Sequence, residues 1–283
     1  MKIGIFAKTF VRPTLAETLD AVVRHGIHEV QFNLVCAGVP SMPDQIDPTL
    51  AATIRRELAA RDIKMAAISG TFNIIHPDLK QRRAGMRRLR VLAAACRDLG
   101  TEIITLSTGT RDPENMWRRH LDNDTPEAWS DMVAALREAV QIAEEHDVTL
   151  AFEPEVSNVV DSAVKGRRLL DEIGSPRLRV VMDGANLFHT GELSRMHKIL
   201  EEAFALLGND IVLAHAKDLS HDGEAGHEAA GTGQLDYDLY LALLRSVGYR
   251  GPLILHALSE EQVDSSVAFL RQKGVEFDSE EVD

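Results

Sequence analysis

The sequence predicts a single (β/α)8 barrel, and three observations carry that prediction. Short apolar, β-rich runs recur eight times with helical stretches between them. Polar residues gather where the later runs stop. No linker or low-complexity stretch divides the 283 residues. Barrels of this length are ordinarily one domain. Residues 1–275 are therefore read as one domain and residues 276–283 as an acidic C-terminal tail.

The apolar runs are KIGIF (2–6), EVQFNL (29–34), KMAAIS (64–69), EIITLS (102–107), VTLAFE (148–153), LRVVMD (178–183), IVLAHA (211–216) and PLILHA (252–257). Five helical stretches stand out between and after them. TLAETLDAVVRHG places apolar residues at 15, 19, 22 and 23 and closes on Gly26. DLKQRRAGMRRLRVLAAACRDLG is amphipathic and closes on Gly100. TPEAWSDMVAALREAVQIAEEH opens on a Thr-Pro cap and keeps an apolar period of three to four residues. DYDLYLALLRSVG and SEEQVDSSVAFLRQKG repeat the theme. A doubly wound sheet would alternate in the same way. However, no GxGxxG follows the first run and no Walker-type loop is present. GTGQLD, residues 231–236, reads as a loop that opens a helix. The basic run QRRAGMRRLR, residues 81–90, reads as a solvated helix face.

Composition narrows the function classes. Lys and Arg number 31 against 44 Asp and Glu, a formal charge of −13 that repels phosphodiester backbones and argues against nucleic acid as a partner. Cys36 and Cys96 lack metal-type spacing and read as buried reduced thiols. MKIGIFAKTF runs straight into a strand pattern without an apolar leader, and no apolar run reaches the ~18 residues a membrane span needs. The expectation is a cytoplasmic protein without a membrane partner.

Chemistry points to the ends of the last four runs, which stop at Glu153, Asp183, His215 and His256. In this fold, polar groups at C-terminal strand ends line the mouth of the active site. Neighbouring strands are only ~4.8 Å apart, so four successive ends can aim at one centre. Oxygen and imidazole donors of that kind suit a divalent metal ion: Mn first, with Zn, Co, Fe or Mg as alternatives. Taken singly, each residue has an ordinary explanation. Asp183 can cap a turn and His215 can be a satisfied core histidine. An unpaired carboxylate after VTLAF would be costly, which favours a function for Glu153. Lys217 and Asp218 are assigned to the following loop, where Lys217 either hydrogen-bonds a substrate hydroxyl or pairs with Asp218.

The same residues resemble the xylose isomerase-like TIM-barrel superfamily, the sugar phosphate isomerase/epimerase group. The matching pieces are LAFEPE (150–155), VVMDGANLF (180–188), VLAHAKD (212–218) and the segment from GTGQLDYDLY to PLIL (231–255), with IGIFAKTF and AAISGTFNIIHPD as further matches. The resemblance spans essentially the whole chain and says little about the substrate. It implies that Glu153, Asp183 and His215 are metal ligands. Two positions depart from the pattern. The last strand usually ends on a glutamate that serves as second acid/base, and His256 stands there. Asn186 stands where many members have a histidine.

With Glu153 and Asp183 ionised and both histidines neutral, two negative charges balance a divalent cation, making it a stronger Lewis acid than one held by a third carboxylate. His256 either ligates or moves protons, because a ligated nitrogen is no longer basic. Glu155 shares the face of Glu153 if the strand continues, and is the candidate replacement carboxylate. After the third run, Asn73 and His76 border the mouth, His76 either binding substrate or capping the helix entry. After the fourth, Arg111, Trp117 and His120 lie in a long loop that suits a lid over a sugar ring, unless Trp117 simply packs. Lys8 and Asn158 complete the mouth. Asn73, His76, Arg111, Trp117, Glu155, Asn158, Asn186 and Lys217 are thus the candidate substrate-binding residues, with Glu153 and His256 as the candidate catalytic pair.

The resulting expectation is a metal-dependent isomerase or epimerase of a sugar, sugar derivative or cyclitol, working through an enediolate. The alternative is a metal-dependent lyase or dehydratase of a keto-sugar, keto-glycoside or inosose, which needs only one base and one acid. A non-catalytic barrel and an endonuclease IV-like enzyme are the remaining readings, the latter opposed by the acidic charge. Members of the superfamily commonly form homodimers, which carries over as an expectation only.

Overall fold

Eight of the runs become parallel strands in the computed structural model, which describes residues 1–275. They are β1 (Ile3–Phe6), β2 (Glu29–Phe32), β3 (Lys64–Ser69), β4 (Ile103–Ser107), β5 (Thr149–Glu153), β6 (Leu178–Asp183), β7 (Ile211–Asp218) and β9 (Leu253–Leu255). The short β8 (Glu228–Ala229) lies between the last two and pairs antiparallel with β7. Successive strands pair in parallel from β1 to β7, with register shifts at Val30/Gln31 and Val180/Val181, and β9 bridges β7 to β1, closing the sheet into a (β/α)8 barrel.

Closure divides the apolar residues in two. Ala67, Ala151, Val181, Leu213 and Ile254 fill the barrel interior, while a larger layer packs between sheet and helices. The interior is tight: a Cβ on Gly4 would lie 2.5 Å from Ile254 Cδ1, so glycine is needed where β1 meets β9.

The helices begin and end where local chemistry dictates. Thr14 caps α1 (Leu15–Arg24), Asp78 caps α3 (Leu79–Leu99), Thr125 caps α4 (Pro126–His146) and Asp236 caps α7 (Tyr237–Ser246), each through a side-chain oxygen that accepts a backbone N–H. Gly100 ends α3 in the left-handed region at φ 89°. The last helical stretch becomes a short 3-10 turn and α8 (Val263–Gln272). Three further helices were not singled out in the sequence: α2 (Pro48–Ala59), α5 (Ala163–Ile173) and α6 (Met196–Leu207). Of these, α5 contains Gly166, over which Leu207 packs. Basic residues of α3 form ion pairs at the surface: Arg82 with Asp131, Arg88 with Asp44 and Arg90 with Glu145. Among the described residues, no helix is long and apolar enough to cross a membrane. The expected acidic tail lies outside the described residues.

One boundary matters for the site. Lys217 and Asp218 belong to β7 and not to a loop, because they pair with Ala229 and Glu228. They do not pair with each other. The Asp218 carboxylate accepts from the backbone N–H groups of Leu219, Gly231 and Leu235, tying the 231–236 loop to the strand end.

Candidate functional site

Register sets the site. Asp183 on β6 lies directly opposite His215 on β7, and Glu153 ends β5 opposite Ser107. His215 Nδ1 is 3.4 Å from Glu153 Oε1 and 3.4 Å from Asp183 Oδ2. Asp183 and His215 are fully buried, whereas the Glu153 side chain keeps 21% of its surface towards the mouth.

The protonation of His215 follows from its other neighbour. Nε2 is 2.8 Å from Gln31 Oε1. Gln31 Nε2 donates to Ser69 Oγ and Thr105 Oγ1, which turns the amide oxygen towards the histidine. His215 Nε2 therefore carries a hydrogen, and Nδ1 is the nitrogen that takes up either a proton or a cation. Nδ1 and Asp183 Oδ2 are buried atoms without a hydrogen-bond partner. Three electron-rich atoms thus face one point in a water-poor interior, and only positive charge relieves that arrangement. Burial opposes a charge on His215, but Glu153 and Asp183 outweigh it and push the imidazole up to about 9 in the absence of any ion. Donors within 4.8 Å of one another on Glu153, Asp183 and His215 fit a divalent cation.

Part of the required positive charge is built in. Lys217 Nζ is 3.0 Å from Asp183 Oδ2, at angles unsuited to a hydrogen bond, and 3.6 Å from Glu153 Oε1. Burial works against its ammonium, yet Asp183 and Glu153 hold its pKa above the ordinary lysine value. Asp183 is likewise driven by burial towards neutrality and held below the carboxylate range by Lys217 and His215. This corrects the charge balance expected from the sequence: two carboxylates already face one ammonium. Glu155, beyond the strand end, is buried; burial first and the Glu153 charge second push its carboxyl up to about 7.

Asn186 links these groups. Its Nδ2 donates to Glu153 Oε1 at 2.5 Å, and its Oδ1 accepts from Lys217 Nζ at 3.0 Å and from Gly226 N at 2.8 Å.

His256 stands beside the cluster and is not one of its three close donors. Its ring is stacked between Phe6, at 4.9 Å, and His215, at 5.0 Å. Nδ1 is buried without a hydrogen-bond partner. Burial, with His215 and Lys217 adding to it, lowers its pKa well below the ordinary histidine value and keeps the ring neutral. Of the four residues read from the sequence, Glu153, Asp183 and His215 bring their donor atoms together, and the His256 imidazole adjoins them.

A cavity of about 510 Å³ opens above the cluster, lined by Phe6, Lys8, Trp117, Glu153, Glu155, Lys217 and His256 among others. That volume suits a small-molecule ligand. Trp117, 56% exposed, stands at its rim. Asn73, His76, Arg111 and Asn158 do not line it. They staple the loops around the mouth. Asn73 donates to Thr110 O and accepts from Thr110 N. His76 holds Pro113 O with Nε2 and accepts from Asp78 N with Nδ1. Arg111 donates to Ile75 O and Asp131. Asn158 Oδ1 accepts from Ser107 Oγ and Gly109 N. His120 caps a 3-10 turn by accepting from Asp122 N. Sequence reasoning missed Gln31, whose only signal was a glutamine between Val30 and Phe32 in the second run.

Comparison with known proteins places this geometry in a lineage. A model of the xylose isomerase-like TIM barrel matches residues 19–273. The chain belongs to that family. Among curated family relatives, an L-ribulose 3-epimerase of Mesorhizobium japonicum is 27% identical over 274 residues, covering 93% of this chain and 80% of the relative. Among solved structures, a D-tagatose 3-epimerase-like protein superposes with a TM-score of 0.75 at 15% identity, covering 96% of this chain and 97% of the other. The IolI protein, described with a bound zinc atom, gives a TM-score of 0.73 at 16% identity, covering 97% and 96% respectively.

Proposed function

We propose that the chain is a metal-dependent epimerase or isomerase of a keto-sugar or related polyol, with Glu153, Asp183 and His215 holding a divalent cation. One observation carries this reading: His215 Nδ1 and Asp183 Oδ2, buried atoms without a hydrogen-bond partner, converge with Glu153 Oε1 at the barrel mouth. Similarity to an L-ribulose 3-epimerase supports the substrate class. The donor set of one imidazole and two carboxylates suits Mn, Zn, Co, Fe or Mg, Mn being preferred because two of the three donors are carboxylates and Mn also accepts an imidazole. When bound, the cation supplies Lewis acidity that acidifies the C–H beside a ketose carbonyl.

The protein's own groups divide the remaining work. Glu153, the most exposed of the three, is the base that removes the proton, and Asn186 Nδ2 fixes its carboxylate. The Lys217 ammonium stabilises negative charge that develops on substrate oxygens. His256, neutral at rest, takes up a proton from cavity water and, as the imidazolium, returns it to the opposite face. Trp117 covers the sugar from the rim.

His256 in place of a second carboxylate favours one further reading, a carbon–oxygen lyase of a keto-glycoside or inosose, since elimination needs one base and one acid. Incubating the protein with Mn and a panel of ketoses, keto-glycosides and inososes in deuterated water tests both. Solvent deuterium in recovered or epimerised sugar is the expected result, and an unsaturated product supports elimination. Sugars returned without deuterium and without product across the panel would overturn both readings.

A further inference from the structure

The loop between β7 and β8 contains a second cluster of metal-binding side chains, separate from the buried centre: His221, Glu224 and His227, spaced three residues apart. His221 Nε2 lies 2.9 Å from Glu224 Oε1, and His227 Nδ1 lies 3.4 Å from the same oxygen. In a tetrahedral zinc site with metal–donor bonds of 2.0–2.1 Å, donors are about 3.3 Å apart, so these separations already approach those around an ion.

The opposite nitrogens face a common acceptor. Ser220 Oγ is 3.1 Å from His221 Nδ1 and 2.9 Å from His227 Nε2. With an ion bound, both rings donate their remote N–H to that hydroxyl oxygen, and His227, whose Nδ1 otherwise meets Ala225 O at 3.1 Å and whose Nε2 accepts from Ser220 N at 3.4 Å, moves its proton from Nδ1 to Nε2. This is the outer arrangement that orients imidazoles in metal sites, where the remote N–H is held by an oxygen. The rings are close, with centroids 4.5 Å apart, which also suits two ligands of one ion.

We propose that His221, Glu224 and His227 form a second, rim-level site for a zinc-type divalent ion, with open positions filled by water. The site is positioned to act on the mouth. Glu224 and His227 line the cavity. Within the same loop, Gly226 N donates to Asn186 Oδ1, whose amide also holds Glu153 and Lys217. An ion that draws His221, Glu224 and His227 together therefore clasps the loop in the position that keeps this bond made.

The test is metal counting on the full-length protein after dialysis with zinc sulfate or cobalt chloride. Wild type is expected to bind two equivalents, H221A/H227A one, and S220A two with rim affinity lowered about 10–100-fold. Cobalt-loaded wild type should show a visible absorption component that H221A/H227A lacks, and zinc should slow amide exchange over residues 219–228 in wild type only. The D183N variant separates this site from the buried one. A single equivalent lost in H221A/H227A but kept in D183N would support the rim site and count against the buried centre. Unchanged stoichiometry in H221A/H227A, one equivalent lost only in D183N, or no binding at all would overturn the proposal.

Discussion

His215 and Gln31 meet inside the barrel, imidazole Nε2 to amide Oε1, at 2.8 Å. That bond joins β7 to β2 and decides which nitrogen faces Glu153 and Asp183. Replacing Gln31 by leucine keeps the volume but removes the acceptor. The His215 N–H is then free to move to Nδ1, where it blocks the lone pair. Q31L should weaken divalent-cation affinity about 10–100-fold, and Q31E, which restores an acceptor, should recover most of it. Isothermal titration with Mn or Zn reads this directly. Equal affinity in Q31L and wild type would remove Gln31 from the centre.

Lys217 shares with the His215 imidazole the counter-charge to Asp183 and Glu153, against which it is buried. Methionine at this position fills similar space without charge. K217M leaves two carboxylates facing each other, and removing one partner of a buried pair costs about 3–5 kcal/mol. Urea unfolding of the metal-free protein should show that loss, and saturating Mn or Zn should recover part of it by binding only the folded state. A K217M variant as stable as wild type in metal-free buffer would show that the ammonium is not what balances Asp183.

His256 separates ligation from proton transfer. It stacks on His215 at 5.0 Å and lies outside the group of three close donors. H256A should bind the cation with nearly wild-type affinity yet lose about 10²–10⁴ in kcat, the usual contribution of a general acid or base. Cation affinity that falls together with turnover would make His256 a fourth ligand instead.

What could be read from the sequence was what strand ends and periodicity record. Glu153, Asp183 and His215 were accessible because each closes an apolar run, and parallel register then brings their ends to one level. Lys217 was legible as a mouth residue but was assigned to a loop, because β7 extends to Asp218 only through pairing with Glu228–Ala229, ten residues further along. Gln31 was hidden for a related reason. The register between β2 and β3 shifts between Val30 and Gln31, so its inward direction depends on a bulge that alternation does not reveal. Asn73, His76 and Arg111 looked like substrate ligands because polar loop residues at a barrel mouth often are. Their partners, Thr110, Pro113 and Asp131, are contributed by distant parts of the chain, and the need to satisfy loop backbone groups claimed them first.

Asp218, next to Lys217, holds the loop that opens α7. It is buried and accepts from Leu219 N at 2.9 Å, Leu235 N at 2.9 Å and Gly231 N at 3.0 Å. A Cβ on Gly233 would collide with that carboxylate and with Leu219 O, so glycine is required at the centre of the turn. D218A strips three backbone donors of a charged acceptor in a buried place, and should lower unfolding free energy by about 3 kcal/mol or more. D218N keeps one carbonyl oxygen for Leu219 and Leu235 and should lose less than half as much. Urea midpoints with unchanged slopes measure both. Because the carboxylate faces the loop and not the cation site, Zn or Mn affinity of the folded variants should remain within a few fold of wild type. Stability equal to wild type in D218A would show that the 231–236 loop is held by its glycine turn and not by this aspartate.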